Sequence, residues 1–363
     1  MLQPTEHDVV VIGAGVSGLV AATALHEAGL GVVCLEARDR VGGRLLSVPS
    51  AADPSRALDL GASWFWDGEE RVRTLARQGE VALIDQHLAG DTMLQETSGV
   101  RRLPGNLLDV PSYRFVPGAQ QLADSLAAQL PAGTIRLGTP ATAITTAATT
   151  ALLVHTLTTT LRARHVVLAV PPALATERID LGGALDDDLE RLARATPVWM
   201  GTTAKVVAEY AGPFWREAGL AGAAFSRTGP LREVHDVSGP DAHPAVLFGF
   251  AHGRTATLHG FEEAVTAQLA QLFGPAAAHP RALHVRNWSA EHWTAPSTVH
   301  HLTDRSLFGH SVYQRPSLGG RLHWASTETA TMSAGHIEGA LTAGERAARA
   351  VLAALGSSTS PSH

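Results

Sequence analysis

The sequence predicts an α/β fold with a parallel strand–helix–strand unit at its start, and three observations carry that expectation. Residues 8–12 (DVVVI) form a β-branched run between polar neighbours, the pattern of a strand buried on both faces. Gly13-Ala14-Gly15-Val16-Ser17-Gly18 follows, and then residues 19–28 with Ala- and Leu-rich helical character. A second apolar run, residues 31–35, ends on Glu36. Strand, glycine turn, helix, strand and terminal acid in that order are the parts of a dinucleotide-binding unit.

Each residue of the unit has a physical task. Gly13 permits the tight turn, Gly15 lets backbone approach a pyrophosphate, and Gly18 lets helix and strand pack closely. The helix N-terminus, which follows Val16 and Ser17, offers unpaired N–H groups and the positive end of a dipole to phosphate. Glu36 stands 18 residues after Gly18, where its carboxylate can accept hydrogen bonds from ribose hydroxyls.

The bulk composition bounds the rest. At 363 residues, 45% hydrophobic and 17% charged, the chain is globular and long enough for one or two domains with a substantial core. A formal net charge of −6 without basic runs argues against nucleic acid as a partner. The single cysteine, Cys34, excludes an internal disulfide and a multi-thiolate metal site. No membrane span of about eighteen or more apolar residues is present, and the start lacks the basic and apolar regions of a signal peptide. A cytoplasmic location is therefore expected. Of the 28 lysines and arginines, only Lys205 is a lysine.

The segment that follows Glu36, residues 37–44, contains Ala37, Arg38, the glycine pair Gly42-Gly43 and Arg44. Paired glycines let backbone reach a diphosphate a second time, and Arg44 can complement its charge. The run LEARDRVGGR resembles the second phosphate motif of the FAD-dependent amine oxidases, the group that includes monoamine oxidases, polyamine oxidases and L-amino-acid oxidases. The resemblance implies FAD as cofactor, with Ser17, Glu36, Arg38 and Arg44 among its contacts.

Further segments resemble the same family in chain order. Gly61-Ala62-Ser63-Trp64 is similar to the stretch in which small residues let backbone pass under the flavin ring. Ala141 stands where relatives meet the adenine through backbone. Residues 163–172 read as a buried strand halted by Pro171 and Pro172. Residues 204–210 (AKVVAEY) resemble the strand that places a lysine over the flavin, which implies Lys205 as the catalytic residue, acting through a water at flavin N5. An ammonium there stabilises the charge that develops when dioxygen takes electrons. Ser326 and Glu328 fall in the last cofactor segment, with Glu328 implied as a ribityl ligand. His336, Ile337 and Ala340 open a final helix whose N-terminus is implied to face the flavin pyrimidine.

Three departures from the family pattern matter. Residues 287–298 contain no cysteine, so the FAD is expected to be non-covalent. The two tyrosines that sandwich the substrate amine in many relatives are absent: their places fall at His336 and near Thr298. Trp64, Trp324 and Trp293 are then the candidate aromatic walls of the substrate pocket. Only 48 residues separate Trp66 from Phe115, which predicts a pocket built from fewer elements.

Other chemistries find little support. The histidines at 292, 300, 301 and 310 lack ligand spacing, so no metal site is expected. No G-x-S-x-G nucleophile motif occurs. Asp186-Asp187-Asp188 reads as an acidic helix start, and residues 261–273 as a core-facing helix.

Taken with the resemblance, the expectation is a discontinuous, Rossmann-like FAD-binding domain over residues 1–72, 116–195 and 315–356. A second, mixed-sheet substrate domain covers 73–115 and 196–314, and 357–363 is a disordered tail. The implied reaction is hydride transfer from the carbon next to a substrate amine nitrogen to flavin N5, with reoxidation by O2 to H2O2. Two alternatives stay open: an FAD-dependent desaturase or other C–H oxidoreductase on a non-amine substrate, and a non-catalytic flavin-binding partner or sensor. The expected partners are an amine or amino-acid derivative and O2; a homo-oligomer is compatible with the short substrate domain.

Overall fold

The computed structural model describes residues 5–147 and 151–357. A seven-stranded sheet carries the glycine turn. Its order is Ile135–Arg136, Val32–Leu35, Thr5–Ile12, Thr160–Leu168, Ala151–Thr156 and Ala141–Ala147, with Leu322–Trp324 also pairing with Thr160–Leu168. The first four strands are mutually parallel, in the register Val9 to Val32 and Ile12 to Leu168. Val9, Val10 and Val11 are fully buried, which explains the unbroken apolar run: a central parallel strand is covered on both faces. Next in the chain comes an antiparallel hairpin, Ala151–Thr156 with Thr160–Leu168.

The helix after the glycine turn, Val16–Glu27, begins three residues earlier than its apolar content indicates, because Gly15 serves as its N-cap. It packs against the C-terminal helix Ile337–Ser357 through the same apolar layer that includes Leu19, Ala22, Leu341 and Ala348. That helix reaches Ser357, so the remainder of the tail expected at 357–363 lies outside the described residues.

A second seven-stranded sheet has the order Ala282–Asn287, Thr203–Tyr210, Ala245–His252, Leu231–Asp236, Leu220–Ser226, Asp91–Glu96 and Gly99–Leu103. Side chains alternate across its faces. Ala204, Val206 and Ala208 pack with Val265, Leu269 and Leu272 of the helix Phe261–Phe273. Lys205 and Val207 point the other way, with Phe248 and Phe250 of the neighbouring strand.

A small sheet of Trp64–Trp66, Ser112–Val116 and Ala82–Asp85 lies between these layers in sequence. The short segment before Phe115 holds one nine-residue helix, Glu70–Gln78, and the hairpin Asp91–Glu96 with Gly99–Leu103. No helix among the described residues is long and apolar enough to cross a membrane.

Candidate active site

One cavity of about 470 Å³ takes its lining from both large sheets and from the loops between them. The volume falls within the usual range for cofactor and small-molecule sites. Its walls run from Glu36 and Arg38 past the two glycine loops to Trp64, Lys205 and His336.

At the first end, Glu36 closes the strand Val32–Leu35. Its Oε2 accepts the Ala14 N–H at 2.8 Å and its Oε1 the Arg38 N–H at 2.9 Å. These bonds orient the carboxylate and tie the two loops together. Gly13 adopts a φ of 100°, which an L side chain rarely takes. A Cβ on Gly18 would stand 1.8 Å from the Gly13 carbonyl oxygen, so helix and turn are in contact there. Gly18 itself does not line the cavity. The absent side chain is what lets the helix approach, the packing task expected of this glycine. No side chain caps the helix at Gly15, and the first-turn N–H groups remain available for an anion.

The second loop sits against the first, with Gly42 bonding through its N–H to the Ala14 carbonyl at 2.8 Å. Arg44 donates to both oxygens of Glu328, at 2.6 and 3.1 Å, and to the Trp199 carbonyl at 3.1 Å. Glu328 is fully buried and also accepts the Trp199 N–H. Its carboxylate bonds Arg44, which lines the cavity together with Ser326 and Thr327, while Glu328 itself is not among the lining residues. Ser17 Oγ donates to the Ala325 carbonyl. Val16, Ala37, Gly43, Ala62, Ala141, Ser326, Ile337 and Ala340 all reach the cavity wall.

At the far end Lys205 is 2% exposed. Its Nζ donates to the Gly61 carbonyl at 2.6 Å and to Ser63 Oγ at 2.5 Å, and lies 4.4 Å from the Phe248 ring centroid. Burial pushes the ammonium down to about 7, with Asp59 opposing the fall and Arg114 adding to it. Trp64 stands beside it, its indole N–H donated to Gln86 Oε1 at 2.9 Å. His336 lines the same region, with Nδ1 2.7 Å from Glu69 Oε1.

Two of the expected pocket residues lie outside the cavity, and a third lines it at the other end. Trp324 is 1% exposed and packs edge-on against Tyr313, because the strand Leu322–Trp324 turns it to the covered side of the first sheet. Thr298 is exposed at the start of the turn Val299–His301 and does not line the cavity. Trp293 does line it, but its neighbour Thr294 accepts from Arg38, which places it at the Glu36 end, away from Lys205.

The walls also hold residues that the sequence reading passed over. Trp66 and Trp199 flank His336, with ring centroids 5.1 and 5.9 Å from the imidazole. Glu233 and His235 point into the cavity from one strand, and Asp109 from the short segment, so that segment does roof the site. His235 Nδ1 lies 2.7 Å from Asp109. Burial lowers the His235 proton affinity, but the bonds to Asp109 and Glu233 outweigh it and the net shift is upward. The alternation of Glu233 and His235 along a strand is the one signal that could have marked them.

Cys34 is buried, points its Sγ at the Gly13 carbonyl and does not line the cavity. Burial, with Glu36 nearby, pushes its thiol up. Among the described residues no three His, Cys, Asp or Glu side chains group as a metal would require.

Comparison with known proteins agrees with this geometry. Residues 87–352 match the family model of flavin containing amine oxidoreductases, and residues 11–78 that of an NAD(P)-binding Rossmann-like domain. The chain is 22% identical to a probable flavin-containing monoamine oxidase A of Dictyostelium discoideum, over 96% of this chain and 98% of that one. It is 27% identical to a putrescine oxidase of Kocuria rosea, over 96% of each. A solved structure of putrescine oxidase bound to putrescine superposes with a TM-score of 0.82 at 20% identity, over 97% of this chain and 100% of that one.

Proposed function

The chain belongs to the family of flavin-containing amine oxidoreductases, and from that premise we propose that it is an FAD-dependent oxidase acting on an amine with a second positive group. The observation that carries the reading is Lys205: the one lysine of the chain, buried in the cavity wall against Gly61 and Ser63.

The cavity suits FAD. Ser326 Oγ and Arg38 Nε line it, are buried, and have no partner within the protein. Buried polar atoms rarely stay unpaired, so both are available to a bound polar group. Glu36 would hold the ribose, the turn from Gly13 to Gly18 and the Gly42-Gly43 pair would admit the diphosphate, and Gly61 to Ser63 would run under the ring. The only thiol being turned away from the cavity supports non-covalent binding. The division we propose is residues 1–72, 116–195 and 315–356 for the cofactor and 73–115 and 196–314 for the substrate, corrected at 72/73. That boundary cuts the helix Glu70–Gln78, whose Leu75 and Ala76 share the apolar core of Leu19 and Leu341, so the helix goes with the cofactor part.

FAD held there would supply a hydride acceptor for the C–H bond next to the amine nitrogen, with dioxygen as the final two-electron acceptor. Lys205 contributes positive charge at a site screened from water, where it stabilises the negative charge that dioxygen acquires. The N-terminus of Ile337–Ser357 adds a dipole of the same sign. Trp64, Trp66 and Trp199 exclude water from the reacting carbon.

Glu233 supports the second positive group. It lies two strands from Lys205, through the register Lys205 to Phe250 to Glu233. At the usual strand spacing the two backbones are about 10 Å apart, which keeps the Glu233 carboxylate apart from the Lys205 ammonium. The test is anaerobic bleaching of the purified yellow protein by monoamines, diamines and amino acids, followed by peroxide measurement on admitting air. Absence of bleaching with every nitrogen compound would sink the amine reading.

A further inference from the structure

Glu69 is the carboxylate nearest His336, and both of its oxygens are engaged. Oε2 accepts the Trp66 N–H at 3.0 Å, while Oε1 lies 2.7 Å from His336 Nδ1. Glu69 is buried at the start of the helix Glu70–Gln78, and its backbone is held by the Trp66 carbonyl as well. An ionised carboxylate only accepts, so Nδ1 carries the proton and Nε2 is the acceptor nitrogen of the neutral ring. The imidazole is one-third exposed, lines the cavity, and is set between the indoles of Trp66 and Trp199. A tautomer fixed by a buried acid and a ring fixed by two indoles is the arrangement of an oriented base.

Alkyl amines reach the protein mostly as ammonium ions, and an ammonium has no lone pair to assist hydride loss from its neighbouring carbon. A proton has to leave nitrogen first. We infer that His336, positioned by Glu69, takes that proton. The N–H bond of the bound ammonium breaks, the electron pair stays on nitrogen, and the proton passes to Nε2. The resulting imidazolium is held at Nδ1 by the Glu69 carboxylate. This rests on the amine-oxidase reading and adds to it a base and a positioning residue.

Other charges around the ring are paired among themselves. Arg71 of the same helix as Glu69 is bound by Glu338 and Glu345, Asp67 by Arg73, and Arg44 by Glu328. Arg305 lies over the Trp199 ring. Lys205 is held on the second sheet by Gly61 and Ser63. Glu69 is the group bonded to the imidazole.

The experiment measures the limiting rate of anaerobic flavin bleaching at saturating amine, from pH 5 to 10, in holoenzyme of four forms: wild type, His336→Asn, Glu69→Gln and Glu69→Asp. Flavin content and melting temperature are recorded for each. The wild-type rate should rise with pH to a plateau. His336→Asn should lose about 100-fold or more at neutral pH, and its rate should keep climbing with pH toward the ionisation of the free amine. Glu69→Gln should lower the plateau and move the acidic limb down by about one pH unit, while Glu69→Asp restores the wild-type profile. Should His336→Asn purify without flavin, Glu69→Gln carries the same decision. Rates reduced equally at every pH, with the limb unmoved, would overturn the proton-accepting pair and leave the amine reading standing. If wild type is not bleached by any amine, the amine reading fails and the pair falls with it.

Discussion

Arg44 and Glu328 meet as a two-pronged ion pair, 2.6 and 3.1 Å, across 284 residues of chain. The second phosphate loop is thereby tied to the C-terminal cofactor segment, with Trp199 bridging both partners through its backbone. Glu328→Ala leaves a guanidinium without its buried counter-charge. The expected loss is about 3 kcal/mol of stability and weaker retention of FAD, read by denaturant unfolding and by titrating FAD into the flavin-free chain. Unchanged FAD affinity would mean that Arg44 keeps its place without Glu328.

Lys205→Met is expected to leave FAD bound, since the ammonium bonds to Gly61 and Ser63 and not to the nucleotide end of the cavity. Reoxidation by dioxygen should slow by about 100-fold, the usual scale for losing one well-placed charge donor. Rapid mixing of pre-reduced enzyme with oxygenated buffer measures it. An unaltered rate would make Lys205 structural.

The same substitution should carry a pH signature in the flavin-free chain. Lys205 is pushed from 10.5 when free to about 7 when folded. Below about 7 both states hold the proton and the full burial penalty stands. Between about 7 and 10.5 the unfolded state binds more protons than the folded one, so wild-type stability rises with pH. Thermal scans should therefore find the gain from Lys205→Met largest below pH 7 and shrinking as pH increases. A gain independent of pH would contradict the depressed affinity.

Glu233→Gln addresses the substrate. Removing its charge should raise the KM for a diamine about tenfold, equivalent to about 1.4 kcal/mol, with little change for a monoamine of equal length. Steady-state peroxide release with matched pairs of substrates reads this directly. Equal effects on both would remove Glu233 from recognition of a second ammonium.

The glycine turn, the helix behind it and Glu36 were legible in the sequence because strand, turn and helix there are contiguous. Within residues 8–36 the local pattern leaves one way to place Gly13, Gly15 and Glu36. Lys205 was legible through its surrounding strand and through its isolation among arginines. Trp324 shows the limit: a strand covered on both sides gives no cue as to which face meets a cavity, and the structure turns this indole onto Tyr313.

Sequence by itself determined the nucleotide unit, the family and the buried lysine, all of which depend on contiguous residues and short-range backbone geometry. Tertiary structure alone decided the polar partnerships: Glu69 with His336 across 267 residues, Asp109 with His235 across 126, and Glu328 with Arg44. Such pairs carry no periodic signature. They form because charged and polar atoms buried by packing must find partners, and the folding of distant segments decides which partners are within reach.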